Sequence, residues 1–129
     1  MRWQSALPAW RMAVVAVASI FVLGCGGRSP RPLDKAVAKD SVRTALACWK
    51  SGVAIGELKQ RSPSIVVGDS DWRDGAALLN YHIVDDESDD GSNLHCEVEL
   101  TIRGRNGKEN QRRAVYIVGT SPVITIFEE

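Results

Sequence analysis

The spacing of hydrophobic positions along the chain changes near Leu78, from a helical period to strict alternation. Between Asp34 and Gly52 apolar residues recur three to four positions apart, which is typical of a helix with one packed side. They are Ala38, Val42, Ala45, Leu46 and Trp49. Asp34 can cap the first turn and Gly52 can end the last one. This pattern predicts one long amphipathic helix.

The next segment, residues 53–75, has no clear period. Residues 55–60 fit a helical turn, Ser62-Pro63 interrupts it, and residues 64–67 form a short extended run.

Alternation of apolar and polar side chains is clearest in residues 94–103, which predicts a β-strand. Its apolar members are Leu94, Cys96, Val98, Leu100 and Ile102. Asn106-Gly107 follows, the dipeptide typical of a two-residue hairpin loop. With that loop, Val98 pairs with Val115 and Cys96 pairs with Ile117. Residues 79–83 and 123–127 supply the remaining strands.

The element order predicts an α+β domain, with one long N-terminal helix packed on a roughly four-stranded antiparallel meander sheet. This order resembles the cystatin-like and nuclear-transport-factor-like families, in which a curved sheet cradles an N-terminal helix. The resemblance covers residues 34–129 as a pattern of elements, and it assigns no site residue.

The N-terminal segment has the features of an export signal. Arg2 and Arg11 flank a region without acidic residues, and an apolar run from Met12 to Leu23 follows. As a helix, about a dozen residues span only about 18 Å, well short of the roughly 30 Å hydrocarbon core. The run is therefore better suited to export than to spanning a membrane.

The apolar run closes with Val22-Leu23-Gly24-Cys25, which resembles the lipobox of bacterial lipoprotein signal peptides. The resemblance implies that residues 1–24 are removed and that Cys25 carries diacylglycerol as the new N-terminus. Val22 and Leu23 depart from the usual leucine followed by a small residue. Gly26 instead of aspartate after the cysteine implies the outer membrane, where the cell has one. The alternatives are an ordinary secretory signal with a chance cysteine, or a short uncleaved anchor.

Removing 24 of the 129 residues leaves 105, enough for a single domain. Residues 25–33 then form the lipidated cysteine and a polar tether of about 15 to 20 Å, and residues 34–129 form the domain. The removed part takes two of the 16 basic residues and none of the 16 acidic ones, which leaves a net charge of about −2. Nucleic acid is not expected as a partner, because its recognition needs a clustered basic surface.

Two cysteines remain after Cys25 is lipidated. An exported chain meets an oxidising compartment, so Cys48 and Cys96 are expected to form a disulfide across the helix–sheet interface. The alternative is a pair of buried free thiols. No cofactor is expected besides the covalent lipid on Cys25.

Two metal-site hypotheses follow from the pattern, although no metal is expected overall. Pairing apolar with apolar positions sets His82 opposite His95, with Glu97 two residues along the same strand face. The alternative is an exposed histidine pair without a ligand. Separately, Asp86, Ser88 and Asp90 alternate before Gly91, with Glu97 at the position of the bidentate acid of a calcium loop. The alternative is an ordinary acidic hairpin loop.

The last hairpin has apolar residues on both of its faces. In the predicted register Tyr116 and Val118 share a face with Val123 and Phe127, which predicts a partner patch unless residues 53–75 cover it.

We find no catalytic motif in the sequence, and therefore expect a non-enzymatic, membrane-tethered binding or envelope-complex module. The expected partners are membrane lipid and an envelope protein, and the expected location is the extracytoplasmic side of the cell membrane or outer membrane. The alternatives are a small-ligand or metal-binding lipoprotein and, third, a pocket enzyme of a cone-like fold.

Overall fold

A computed structural model describes residues 32–84 and 87–129 of the chain. The proposed signal peptide, Cys25 and the tether up to residue 31 lie outside the described residues. Asp86 of the predicted calcium loop lies outside them as well.

The long helix α1 spans Lys35–Lys50, as its hydrophobic spacing predicts. The Asp34 carboxylate accepts a hydrogen bond from the Val37 backbone N–H at 3.1 Å and so caps the first turn. All five apolar positions of the predicted stripe are buried. The chain leaves the helix through Gly52, whose φ of +85° is readily adopted only by glycine.

Two further helical segments follow α1. A 3₁₀ helix spans Ile55–Gln60 and α2 spans Ser70–Arg73. Trp72 of α2 stacks on Trp49 of α1, with ring centroids 5.3 Å apart and an interplanar angle of 4°. Each indole N–H donates to a backbone carbonyl, so both rings are buried without an unpaired donor.

The sheet has six strands in the described residues, and it is curled and mixed. The strands are β1 (Ile65–Gly68), β2 (Ala77–Ile83), β3 (Ser88–Asp89), β4 (Leu94–Arg103), β5 (Glu109–Gly119) and β6 (Ile124–Glu128). Their order is β1-β6-β5-β4-β2, and the short β3 pairs with β4 next to the end of β2. β1 runs parallel to β6 and the other pairs are antiparallel.

The predicted α+β class is confirmed, whereas its finer description is wrong. Three helical segments replace the single helix, and a mixed sheet replaces the four-stranded antiparallel meander. The difference comes from residues 53–75, because they return the chain to the far edge of the sheet and add β1 beside β6 in parallel.

The β4–β5 hairpin is one residue out of the predicted register. Cys96 pairs with Tyr116 and Val98 with Ala114. The loop is longer than the two residues Asn106-Gly107, since the Gly104 N–H donates to the Lys108 carbonyl at 3.0 Å. A shift of one residue turns every β5 side chain to the other face, so Ala114, Tyr116 and Val118 enter the core.

In the structure Cys48 and Cys96 are both free and buried, and the predicted disulfide between them is absent. Cys96 lines a small space together with Lys39 and Val42 of α1. Cys48 is six residues beyond Val42, or about 9 Å along a helix. Both thiols therefore face the helix–sheet interface at different levels. Burial raises the pKa of the Cys96 thiol, which keeps it protonated and unreactive.

Candidate functional site

One face of the sheet carries the site, because the helices pack against the other face. On β4 the side chains facing α1 are buried, while those on the opposite face are half-buried or exposed. Residues of α1, the 3₁₀ helix and α2 all belong to the core cluster on the packed face. The opposite face, which we call the open face, meets no helix in the described part of the chain.

Two rows of polar side chains cross three strands on the open face. Strand pairing aligns His82 of β2, Glu99 of β4 and Arg113 of β5 in one row. Asn80, Thr101 and Gln111 form the next row in the same order. We call these six residues the polar platform. They line an open recess of about 450 Å³, a size within the range of small-ligand sites.

The charges of the platform are already paired within the protein. The Arg113 guanidinium donates to Glu97 and to Glu99, each at 2.9 Å. Both bonds are partly exposed, so they orient the side chains more than they stabilise the fold.

The other four platform side chains have free hydrogen-bonding capacity. Within the described residues, no protein group hydrogen-bonds to the side chains of His82, Asn80, Thr101 or Gln111. Among them they offer amide, hydroxyl and imidazole donors and acceptors. The platform can therefore bind a polar partner without first breaking a bond of its own. It contains no Ser or Cys nucleophile.

An apolar strip continues the open face beside the platform. It consists of Val66 on β1, Val115 and Ile117 on β5, and Phe127 on β6. Phe127 is 47% exposed and its ring lies over Gly68, where an added Cβ would stand 2.5 Å from the ring Cδ1 atom. Gly68 thus gives the ring room to lie flat against β1.

Only two of the four residues of the predicted partner patch are exposed. Val123 and Phe127 are exposed, at 44% and 47%, whereas Tyr116 and Val118 are buried in the core. The reason is the hairpin register: with the longer loop, Val115 and Ile117 occupy the open face in place of their neighbours.

The predicted pairing of His82 with His95 is wrong. His82 pairs with Glu99, and His95 pairs with Ser88 of β3. The shift is four residues along β4, and an even shift keeps apolar side chains opposite apolar ones, so the alternating pattern could not exclude it. The pairing of β3 with the start of β4 moves β2 further along its partner.

The calcium-loop residues are not gathered either. Ser88 lies in β3, and Asp90 caps the turn to β4 by accepting from the Ser92 and Asn93 backbone N–H groups at 2.9 and 2.7 Å. Glu97 accepts from Arg113 instead. In the part of the chain that the structure describes, no three His, Cys, Asp or Glu side chains lie close enough to share a metal ion.

Sequence reasoning missed a polar network on the packed side of the sheet, in which Tyr116 and Asp69 are buried and the other members are partly exposed. The Tyr116 hydroxyl donates to Asp69 Oδ2 at 2.6 Å, and Asp69 Oδ1 accepts from the Trp72 backbone N–H at 3.0 Å. Arg112 donates to Asp71 at 2.9 Å and to Glu128 at 2.5 Å. The network joins α2 to β5 and β6. Its one signal in the sequence is Asp69, a helix-capping residue directly before Ser70.

Burial shifts the protonation of the tyrosine in this network. Burial raises the pKa of Tyr116, and the adjacent carboxylate of Asp69 raises it further. The hydroxyl therefore stays protonated and serves as a structural donor.

The fold and the open face together define an α+β domain with a one-sided, solvent-facing sheet. None of the described helices has the length and hydropathy needed to span a membrane. No protein-family model matches the chain, and no curated protein or solved structure is significantly similar to it.

Proposed function

We propose that this chain is a lipid-anchored, non-enzymatic binding module of the bacterial cell envelope, with the open face as its binding surface. The observation that carries the proposal is the combination, on one uncovered sheet face, of the polar platform and the apolar strip. A polar region with free donors and acceptors beside an exposed apolar region is the usual composition of a protein-binding surface.

The position of the domain start supports tethering from Cys25. The Asp34 backbone N–H donates to the Thr120 hydroxyl at 3.1 Å, so the chain enters the domain at the β5–β6 turn. The open face runs along the strands away from that turn, and an anchor there leaves most of the face accessible. The proposed location is the extracytoplasmic side of the cell membrane or outer membrane, and the proposed partner is an envelope protein.

Site-specific photo-cross-linking in membranes of cells that produce the full chain tests this proposal. A photoreactive amino acid at Gln111 or Phe127 is expected to give a discrete adduct. The same amino acid at Thr44 or Ala47, which are exposed on α1, serves as the control and is expected to give none. Adducts of equal yield from both faces, or from neither, would contradict the open face as the binding surface.

A second function, binding of a small polar ligand, is favoured by the recess of about 450 Å³ over the platform. The four side chains with free hydrogen-bonding capacity would hold such a ligand. The double variant Thr101→Val and Gln111→Leu removes two of them while keeping their size. Ligand-induced thermal stabilisation that this variant abolishes would favour the small-ligand function over the protein partner.

A further inference from the structure

The edge of the sheet formed by β2 differs from the opposite edge. β1 is only four residues long and the 3₁₀ helix packs against it. β2 is seven residues long, and in the described residues no strand pairs with its outer side. Such an edge presents unpaired N–H and C=O groups to any strand that can reach it.

The hydrogen bonds to β4 show which groups of β2 point outward. The Val84 N–H donates to the Glu97 carbonyl at 2.9 Å, so Val84 is in a hydrogen-bonded pair. Such pairs alternate along an antiparallel ladder, and His82 therefore also bonds to β4. The backbone groups of Tyr81 and Ile83, the residues between them, point away from β4, and no strand among the described residues pairs with them.

β2 lacks the charged residues and prolines that often protect an edge strand. Its sequence ALLNYHI contains no charged residue and no proline. The register shift between Leu78 and Asn80 disturbs only the start of the strand. A regular, charge-free edge remains from Asn80 to Val84.

We propose that this edge pairs with the β2 strand of a second copy of the chain, antiparallel and about a two-fold axis at His82. In this register Tyr81 pairs with Ile83 of the second copy, and the two residues exchange N–H···O bonds in both directions. The symmetric pair does the same, which gives four backbone hydrogen bonds.

The side chains are self-complementary in this arrangement. Tyr81 and Ile83 both lie on the packed face, where they are half-buried in one copy, and an aromatic side chain beside a β-branched one is a favourable cross-strand pair. The absence of charge on β2 means that no like charges meet. The two His82 side chains face each other on the open face, and the two polar platforms become one continuous surface that spans six strands.

Cysteine cross-linking tests both the pairing and its register. In the proposed register His82 lies directly opposite its own copy, in a non-hydrogen-bonded pair with Cα atoms about 4.5 Å apart, within disulfide range. Asn80 instead lies four residues from its copy, about 13 Å away. The variant His82→Cys is expected to form a disulfide-linked dimer in membranes under mild oxidation, and Asn80→Cys is expected to form at least tenfold less.

The wild type, which lacks the introduced cysteine, is the control for cross-links through Cys25. Cys48 and Cys96 are buried and are not expected to cross-link. Equal cross-linking of the two variants, or none in either, would overturn the proposed pairing. The result does not depend on lipidation or on any partner of the open face, so it is separable from the proposed function.

Sedimentation of the detergent-purified chain gives a second test that needs no new thiol. The wild type is expected to be a dimer. His82→Lys places two ammonium groups face to face at the two-fold axis and is expected to give a monomer, with an unchanged circular dichroism spectrum because His82 is exposed. Gln111→Lys, on the same face but on β5, is the matched control and is expected to stay dimeric. A monomeric wild type, or a dimeric His82→Lys variant, would refute the proposal.

Discussion

The hydrogen bond between Tyr116 and Asp69 gives the sharpest prediction about stability. Tyr116 is 2% exposed and Asp69 is 3% exposed, and their oxygens are 2.6 Å apart. Tyr116→Phe keeps the ring in the core and removes only the hydroxyl. The buried carboxylate of Asp69 then loses its shortest hydrogen bond and keeps the Trp72 backbone N–H at 3.0 Å and the Arg112 guanidinium at 3.5 Å.

The expected cost follows from the charge on the acceptor. A hydrogen bond to a charged group contributes about 1.5 to 3 kcal/mol, and a buried acceptor left short of a donor costs a similar amount. Tyr116→Phe should therefore lower the free energy of unfolding by about 2 kcal/mol. For a domain of this size, 1 kcal/mol corresponds to a shift in Tm of about 4 to 8 °C, so the expected drop is roughly 8 to 16 °C.

The chain supplies its own control, because its only other tyrosine is Tyr81. Tyr81 is half-buried, and its hydroxyl has no hydrogen-bond partner among the described residues. Tyr81→Phe should change the free energy of unfolding by less than about 0.5 kcal/mol. Urea unfolding followed by circular dichroism measures both variants. Equal effects of the two substitutions would refute the reasoning about the buried network.

The same bond predicts a loss of stability at alkaline pH. Burial raises the pKa of Tyr116 above its unfolded value of about 10. The folded state then holds this proton more tightly, so the stabilisation is complete below about pH 10 and decreases as the pH rises further. In Tyr81→Phe only Tyr116 is left to report phenolate absorbance, which should appear only as the chain unfolds. Phenolate formation near pH 10 in the folded protein would contradict the assignment.

Three further predictions concern the turn before β4, the open face and the thiols. Hydrogen bonds from two backbone N–H groups lower the pKa of Asp90 to about 2. The stabilisation of the turn by Asp90 is therefore present above about pH 4 and disappears as the pH falls through 2. An NMR titration of Asp90 with a midpoint near pH 4 would contradict this. Gly68→Ala should lower the free energy of unfolding by about 1 to 3 kcal/mol, because the added Cβ clashes with the Phe127 ring, and by much less in a Phe127→Ala background. An equal loss in the wild-type and Phe127→Ala backgrounds would exclude the clash. Cys48 and Cys96 should react with a thiol reagent on denaturation without any reductant. If the thiols reacted only after reduction, the two cysteines would form the predicted disulfide and not free thiols.

Local features of the sequence were sufficient for the elements that depend on near neighbours. Asp34 caps α1 as predicted, because capping needs only the next three residues. The alternation in residues 94–103 places five side chains of β4 in the core, because period two is a property of the strand itself. Both signals are contained within one element.

The same local signals do not predict how distant strands pair. The alternating pattern cannot choose between registers that differ by an even number of residues, so it allows His82 to pair with His95 as readily as with Glu99, its partner in the structure. The Asn106-Gly107 signal located the β4–β5 turn but not the length of its loop, and one residue of difference moved Tyr116 from the open face into the core. The parallel placement of β1 beside β6 has no local signal, since the partners are nearly sixty residues apart.

The candidate site depended on that pairing and was therefore only partly predictable. The sequence predicts an outer strand face for His82 and, unless residues 53–75 cover it, for Phe127. Their neighbours on the polar platform and the apolar strip are set by strands that the sequence does not align. The buried carboxylate of Asp69 was missed because nothing near it in sequence indicates that Tyr116 lies beside it.

The most direct test of the account is the intact mass of the chain purified from its native membrane, compared with the Cys25→Ser variant. We predict a mature chain that begins at Cys25 and carries two or three acyl chains, and a Cys25→Ser chain that lacks the adduct and leaves the membrane fraction. If the wild-type chain carries no lipid and divides between membrane and soluble fractions as Cys25→Ser does, the proposal that lipid holds this domain at the membrane would be contradicted.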